Sequence, residues 1–303
     1  MDFSVKIGSL VLKNPILTAS GTFGYGIEYE TFGDLKKLGG IVVKGLSINP
    51  RQGNMGDRIA ETPCGMLNSI GLENIGINAF IQDILPKLPY KETPIIVNLY
   101  GEDIKDFEIL SKITSERKEI GALEVNISCP NVKQGGIQFG QDEKSAAMVC
   151  ETVKKHAGSK VVIVKLSPNV SDIKKIAKAV ELAGADAISL INTIPAMAVD
   201  IYRRRPKLTN VIGGLSGPAI KPIALRMVYE VVQVVNIPVI GIGGISSVED
   251  VFEFILVGAH AVQIGSANFT NPALSFEIVD KLQIMANKLN INNLEEFRGK
   301  LII

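Results

Sequence analysis

Charge of one sign is barely in excess in this chain. Lysine and arginine number 32 against 31 aspartates and glutamates, a formal net charge of +1. That balance excludes a general nucleic-acid or anionic-membrane binder, which works through a basic excess or a basic block. Cysteine is scarce as well. The three, at positions 64, 129 and 150, cannot all pair with one another, and no secretory leader is legible ahead of Asp2, so a reducing cytoplasm is the expected setting. Unbroken apolar runs stay well short of the ~18 residues of a membrane span. The mean hydropathy of +0.25 is therefore assigned to buried strands. HExxH and CxxC metal spacings are missing, as is the C-x4-C-x2-C spacing of an iron–sulfur ligand set.

What is present is material for a large core. Of 303 residues, 46% are hydrophobic and 21% charged, which excludes a disordered chain. Short apolar runs alternate with helical patterns. Eight runs read as strands: PILTAS (15–20), GIVVKG (40–45), PIIVNLYG (94–101), ALEVNIS (122–128), VVIVKLSP (161–168), AISLINT (187–193), PVIGIGG (238–244) and AVQIGSA (261–267). Most are continuous rather than alternating, the mark of parallel strands covered on both faces. Between them, residues 171–183 place Ile173, Ile176, Ala177, Val180 and Ala183 on one helical stripe, with Ser171 as N-cap and Gly184 as stop. Residues 247–257 behave likewise, ended by Gly258. The alternation predicts an α/β fold, a closed (β/α)8 TIM barrel forming one domain over 1–303. FSVKIGSLVLKN reads as a hairpin closing the barrel floor. The gaps 46–93 and 194–237 are too long for simple crossovers and are expected to cover the active-site mouth. The tail 273–303 reads as a last helix and a short end.

Polar residues recur where these strands end. The first ends in Ser20, the second in Lys44; the third carries Asn98, the fourth Asn126 with Cys129 just beyond; the fifth carries Lys165, the sixth Asn192 and Thr193; the last two end in Gly243-Gly244 and Gly265. A strand end often merely meets solvent, but barrel enzymes build their sites at this face and lysines inside apolar strands are rare. The glycine loops after strands seven and eight sit where barrels bind phosphate through backbone N–H groups. Gly217 in GGLSGPA adds a close backbone approach. GIGGIS alone fits any tight turn, and Ser246 at its end breaks the dinucleotide fingerprint. Cys129, in NISCPNVKQGG, follows a buried strand and precedes Pro130, which holds the thiol at the mouth. A thiol with a reference pKa of ~8.5 is a workable base near neutrality. Cys150 and Cys64 read as small core residues. Asn68, Asn126 and Asn192 offer donor–acceptor amides that match a pyrimidine-like ring edge, with a lysine for a carboxylate, though asparagines also populate turns. His156 and His260 read as structural. Arg203, Arg204 and Arg205 read either as a partner or lid contact or as a solvated loop.

NISCPNVKQGGIQFG, GGLSGPAIKPIALR, INTIPAMAVDI, GIGGISSVEDVFEFILVGAHAVQIGSANF and NSIGLEN resemble the class 1 dihydroorotate dehydrogenases over essentially the whole chain. Cysteine at 129 is similar to class 1. CPNVKQGG and GLSGPAIKP resemble the NAD-linked 1B catalytic subunit, with the fumarate-using 1A homodimer as the nearer alternative. The resemblance implies an FMN-containing barrel that oxidises (S)-dihydroorotate to orotate in pyrimidine biosynthesis. It implies FMN contacts from Ser20, Lys44, Gly45, Asn98, Asn126, Lys165, Ile191, Gly217, Gly243, Gly244, Gly265 and Ser266. Substrate contacts are implied for Lys44, Asn68, Ser69, Ile70, Gly71, Leu72, Asn126, Asn192 and Thr193. Cys129 is implied as the base, with Lys44 and Lys165 as catalytic ammonium groups. A homodimeric core within a heterotetramer is implied, with a partner subunit carrying FAD and a [2Fe–2S] cluster; neither nucleic acid nor membrane is a partner, and no metal is bound by this chain. The chain departs from the family pattern at Ser266, where threonine is usual, and at IPAM, 194–197. Three other readings stay open: a related flavin barrel acting on dihydropyrimidines, a non-redox phosphate-binding barrel such as an isomerase or lyase, and a non-catalytic scaffold. The last is opposed by the intact set Lys44, Asn126, Cys129 and Lys165.

Overall fold

A computed structural model describes residues 1–128 and 139–303. The chain opens with an antiparallel hairpin, β1 (Val5–Ile7) and β2 (Leu10–Leu12). Its turn at Gly8 packs against Val161 and Asp186, at the N-terminal starts of two barrel strands, so the hairpin closes the floor as expected.

The strands then follow in chain order. The barrel opens with β3 (Ile16–Thr18) and β4 (Ile41–Val42). A first insertion carries β5 (Ile59–Thr62) and β6 (Gly65–Asn68). The barrel resumes with β7 (Ile95–Leu99), β8 (Ile120–Asn126), β9 (Val161–Lys165) and β10 (Ala187–Leu190). A second insertion holds β11 (Ile194–Ala196), β12 (Val199–Asp200), β13 (Arg205–Pro206) and β14 (Gly213–Ser216). Two last barrel strands are β15 (Val239–Ile242) and β16 (Ala261–Ile264). The eight barrel strands are parallel, in the order β3-β16-β15-β10-β9-β8-β7-β4. The ring closes between β3 and β4. Thr18 N donates to Gly40 O at 3.3 Å, and Thr18 Oγ1 accepts from Val42 N at 3.0 Å.

All eight expected strands are present, and their continuous apolar character is explained by burial on both faces. Val161 to Val164, Ala187, Ile188, Leu190 and Val239 to Ile240 are all buried, each such aliphatic side chain contributing about 1.5–3 kcal/mol. Helices cover the outside. Ile173–Leu182 buries Ile173, Ile176, Ala177 and Val180, as its stripe predicts. Its N-cap is Asp172 rather than the expected Ser171: the Asp172 carboxylate accepts from Lys174 N at 3.0 Å, and a carboxylate at a helix N-terminus also complements the dipole. Gly184, at φ +94°, ends the helix as expected. Val248–Leu256 is capped by Ser247 in a capping box with Asp250, and Gly258 at φ +115° follows it. The tail holds two helices rather than one, Leu274–Lys288 and Leu294–Phe297, separated by Asn290 at φ +55° and recapped by Asn293. Among the described residues no helix is long and apolar enough to cross a membrane.

The two insertions meet in one four-stranded antiparallel sheet, ordered β11-β14-β6-β5. It starts directly above the end of β10 and returns through Gly217 to the loop after β15, so it lies at the C-terminal end of the barrel. The β12–β13 hairpin projects from it, with Ile201, Tyr202 and Arg203 to Arg205 exposed at its tip.

Candidate functional site

Barrel interiors are usually filled by branched apolar side chains. This one holds a polar cluster drawn from five strands. Glu124, fully buried on β8, accepts at Oε1 from Asn98 Nδ2 of β7 at 2.7 Å. Its Oε2 accepts from Ser189 Oγ of β10 at 2.9 Å and from Gln263 Nε2 of β16 at 2.5 Å. Lys165 of β9, 6% exposed, places its Nζ 3.7 Å from Glu124 Oε1. A buried carboxylate without such partners would be strongly unfavourable. The cluster is satisfied on its own side and open on another. Asn98 Oδ1 and Gln263 Oε1 are buried acceptors with no hydrogen-bond partner among the described residues. Glu124 is the one charge paired with Lys165 among them.

The rim continues from this cluster. A Cβ on Gly45 would stand 2.9 Å from Asn98 Oδ1, so the backbone after Lys44 approaches that open acceptor as only glycine permits. Lys44 is half-buried and its N–H donates to Gly24 O at 2.9 Å. Its charge reaches Glu73, whose carboxyl is held below the usual range by the Arg58 hydrogen bond at 2.5 Å and then by Lys44. Lys44 is thereby tied electrostatically to the loop that carries Asn68 to Leu72. In that loop Leu72 adopts φ +59°, a conformation that bulky side chains rarely take. Ser69 N donates to Arg58 O at 2.8 Å, and the Ile70 carbonyl accepts from Asn54 N at 3.0 Å. Gly71 packs on Asn54.

On the opposite rim the glycines make a backbone crevice. Gly244 has φ +70°, and a Cβ there would strike Lys221 Cβ at 2.6 Å and Gly217 O at 2.9 Å. Gly217, at φ +101°, lies so close to Gly65 that a Cβ would be 2.6 Å from its Cα. Gly243 precedes at φ +130°. Ile191 N donates to Ile242 O at 3.0 Å, which fastens the end of β10 to the end of β15. Ser20 follows Ala19, whose N–H donates to Ile264 O at 2.9 Å; Gly265 and Ser266 come next along that strand. The Gly243–Ser246 turn is braced by Asp250. Its Oδ2 accepts from Ser246 N at 2.7 Å and Ser247 N at 2.9 Å, while Oδ1 accepts from Lys221 Nζ at 2.6 Å. Burial alone would raise the Asp250 carboxyl; the Lys221 and Ser246 hydrogen bonds outweigh it and hold the carboxyl below its usual range.

The asparagine amides are oriented by the fold. Asn68, on β6, donates Nδ2 to Gly214 O at 3.2 Å, which leaves its Oδ1 as an acceptor without a partner among the described residues. Asn126 and Asn192 do the reverse. Asn126 Oδ1 accepts from Ser128 N at 3.1 Å and Asn192 Oδ1 from Thr193 N at 2.8 Å, leaving two NH2 groups as donors without a partner among the described residues. Asn126 sits in register with Lys165, and Asn192 N donates to Leu166 O at 3.2 Å. Thr193 packs against Gly214, the partner of Asn68. A chain of contacts and neighbours thus runs from Asn68 through Gly214, Thr193, Asn192 and Leu166 to the adjacent Lys165 and its register partner Asn126, and from Lys165 through Glu124 and Asn98 to Gly45.

Cys129 lies outside the described residues. Cys150 is a buried helix residue, as expected, and burial pushes its thiol up to about 12. Cys64 differs from expectation: it is exposed in the turn between β5 and β6, where its carbonyl accepts from Ala219 N at 2.9 Å. His156, at the end of Glu143–His156, stands 3.5 Å from Glu108. His260 accepts from Val239 N through Nδ1 at 3.3 Å, away from the mouth. Arg203 lies 3.7 Å from Asp200 across the exposed hairpin, and Arg205 pairs with Asp200 in register. Glu124, Ser189 and Gln263 are the residues that sequence reasoning missed. The signal was a lone acid, a serine and a glutamine inside runs otherwise too apolar to tolerate them.

The chain matches the family model described as dihydroorotate dehydrogenase over residues 3–285. It is 60% identical over 301 residues to the dihydroorotate dehydrogenase B (NAD(+)), catalytic subunit, of Solidesulfovibrio magneticus, covering 99% of this chain and 98% of that protein. It is 58% identical to the protein of the same name from Maridesulfovibrio salexigens, covering 99% of each. The protein of that name from Geotalea daltonii is 52% identical over 302 residues, covering 100% of this chain and 99% of the relative.

Proposed function

The chain belongs to the dihydroorotate dehydrogenase family, and from that premise we propose that it is the catalytic subunit of an NAD-linked enzyme oxidising (S)-dihydroorotate to orotate in pyrimidine biosynthesis. The observation that carries this reading is the buried Lys165 beside two open amide acceptors, at the end of a barrel whose full-length relatives bear that name. FMN, when bound, supplies the acceptor for the hydride that leaves substrate C6.

The residues suit that group chemically. Lys165 presents ammonium donors and Asn98 an unspent acceptor to a ring edge, while Gly45 lets the ring approach the backbone. Ser20, Asn126, Ile191 and Lys44 complete the proposed ring contacts. Gly217, Gly243, Gly244, Gly265 and Ser266 offer backbone N–H groups to the phosphate. For substrate, the remaining amide donors of Asn126 and Asn192 suit the two ring carbonyls and the remaining acceptor of Asn68 suits an N–H between them. Lys44 and the loop Asn68, Ser69, Ile70, Gly71 and Leu72 would hold the carboxylate, with Thr193 at its side. The C5–H of dihydroorotate is α to a carbonyl, so a base removes it: we assign this to the Cys129 thiolate. Lys165 would stabilise negative charge on a ring held there.

The chain has no iron–sulfur spacing of its own, and its relatives are named catalytic subunits. Electrons therefore pass to NAD through a partner carrying FAD and a [2Fe–2S] cluster, around a homodimeric core in the cytoplasm. Purified chain reconstituted with FMN should be yellow and bleach on anaerobic addition of dihydroorotate. A protein that takes up no flavin, or that stays oxidised, would refute the reading. Fumarate reduction by the isolated chain would favour the 1A alternative, and NAD reduction that requires the partner supports 1B.

A further inference from the structure

The Glu124 cluster asks for an explanation beyond packing. A barrel axis can be filled by Val, Ile and Leu at no electrostatic cost. Here Asn98, Glu124, Lys165, Ser189 and Gln263 occupy it. Replacing a buried ion pair by apolar residues is often neutral or stabilising, so stability alone is a weak reason to keep one. The arrangement of donors is more specific. Three neutral groups saturate Glu124 at 2.7, 2.9 and 2.5 Å. Lys165 stands at 3.7 Å, beyond hydrogen-bond range but close enough for a strong Coulombic pairing in a site shielded from water. Glu124 thus pairs with the ammonium without consuming its N–H donors, which among the described residues remain for a ligand. The same amide that steadies Glu124, Asn98, turns its other end toward Gly45.

We propose that Glu124 tunes the flavin: paired with Lys165 at the barrel mouth, it offsets part of that ammonium's charge and so sets the reduction potential of the bound flavin. The proposal rests on the reading of Lys165 as flavin-facing. Two-electron reduction adds negative charge to the ring, which Lys165 favours and Glu124 opposes. Removing the carboxylate charge therefore makes reduction easier.

The test is a potentiometric titration of FMN-reconstituted wild type, Glu124→Gln, Lys165→Met and the double variant, with FMN affinity measured in parallel by fluorescence quenching. Glu124→Gln is expected to shift the oxidised-to-reduced equilibrium at least tenfold toward reduced, about 30 mV for a two-electron couple. Lys165→Met is expected to shift it the opposite way. In the Lys165→Met background the Glu124→Gln shift should persist with the same sign, because the carboxylate's charge opposes that of the reduced ring whether or not the lysine is present. An unchanged potential in Glu124→Gln, or a shift toward oxidised, overturns the proposal while leaving the role of Lys165 intact. A Lys165→Met protein with wild-type potential and affinity overturns the flavin-facing assignment of Lys165, and the proposal with it. Should Glu124→Gln not fold, Glu124→Asp withdraws the charge by one methylene; it should shift the equilibrium in the same direction by less, and an unshifted potential there is equally fatal.

Discussion

Lys221 Nζ lies 2.6 Å from Asp250 Oδ1, joining the helix that follows the inserted sheet to the helix that follows the Gly243-Gly244 turn. Through its other oxygen Asp250 holds Ser246 and Ser247, so one carboxylate fastens both walls of the glycine crevice.

Asp250→Ala should therefore loosen the crevice and the helix together. Losing the cap costs about 1 kcal/mol, and the hydrogen bonds left unmade bring the loss to about 2–3 kcal/mol. Calorimetry should show a lowered Tm, and flavin affinity should fall with it. The Asp250 carboxyl is held below its usual range, so its contribution is present above the ordinary aspartate value and fades as pH falls through the folded-state value. Wild type should lose part of its advantage over the variant in acid.

Cys129→Ala should still bind FMN and remain yellow, because the flavin contacts proposed here come from other residues. Its reduction by dihydroorotate near neutral pH should slow by about 10²–10⁴-fold, the usual worth of a positioned base. Stopped-flow bleaching under anaerobic conditions measures this directly; a normal rate would remove the thiol from the reaction.

His260 gives a pH dependence of stability. Burial, then the Arg298 charge, pushes its imidazole down to about 4, and Nδ1 is already engaged as an acceptor from Val239 N. Below the ordinary histidine value the unfolded chain takes up a proton that the folded protein refuses. Stability is thus unaffected above about pH 6.5 and declines as pH falls toward 4, by on the order of 3 kcal/mol at most. His260→Gln should flatten denaturation midpoints across that window, and an unchanged slope would show that the loss arises elsewhere.

The barrel was legible because each strand is an apolar run too short for a helix and bounded by Gly or Pro. The mouth was legible because lysine and asparagine at the ends of such runs break the pattern. Ser171 against Asp172 shows where local reasoning stops: both are good caps, and the choice depends on which side chain meets the Lys174 N–H. Glu124 was hidden differently. Within ALEVNIS a single acid looks like an interruption, and its donors come from Asn98, Ser189 and Gln263, 26, 65 and 139 residues away. Cys64 was misread because the hydrophobicity around it serves a β-hairpin rather than the core.

The pairing of Asn68 with Gly214 spans 146 positions of chain. Contacts that distant form slowly, since a long loop must be closed before they repay it. A nascent chain emerging from the ribosome has most of its cylinder before it owns a finished roof, and the sheet over the barrel mouth is completed only after Ser216 has been made.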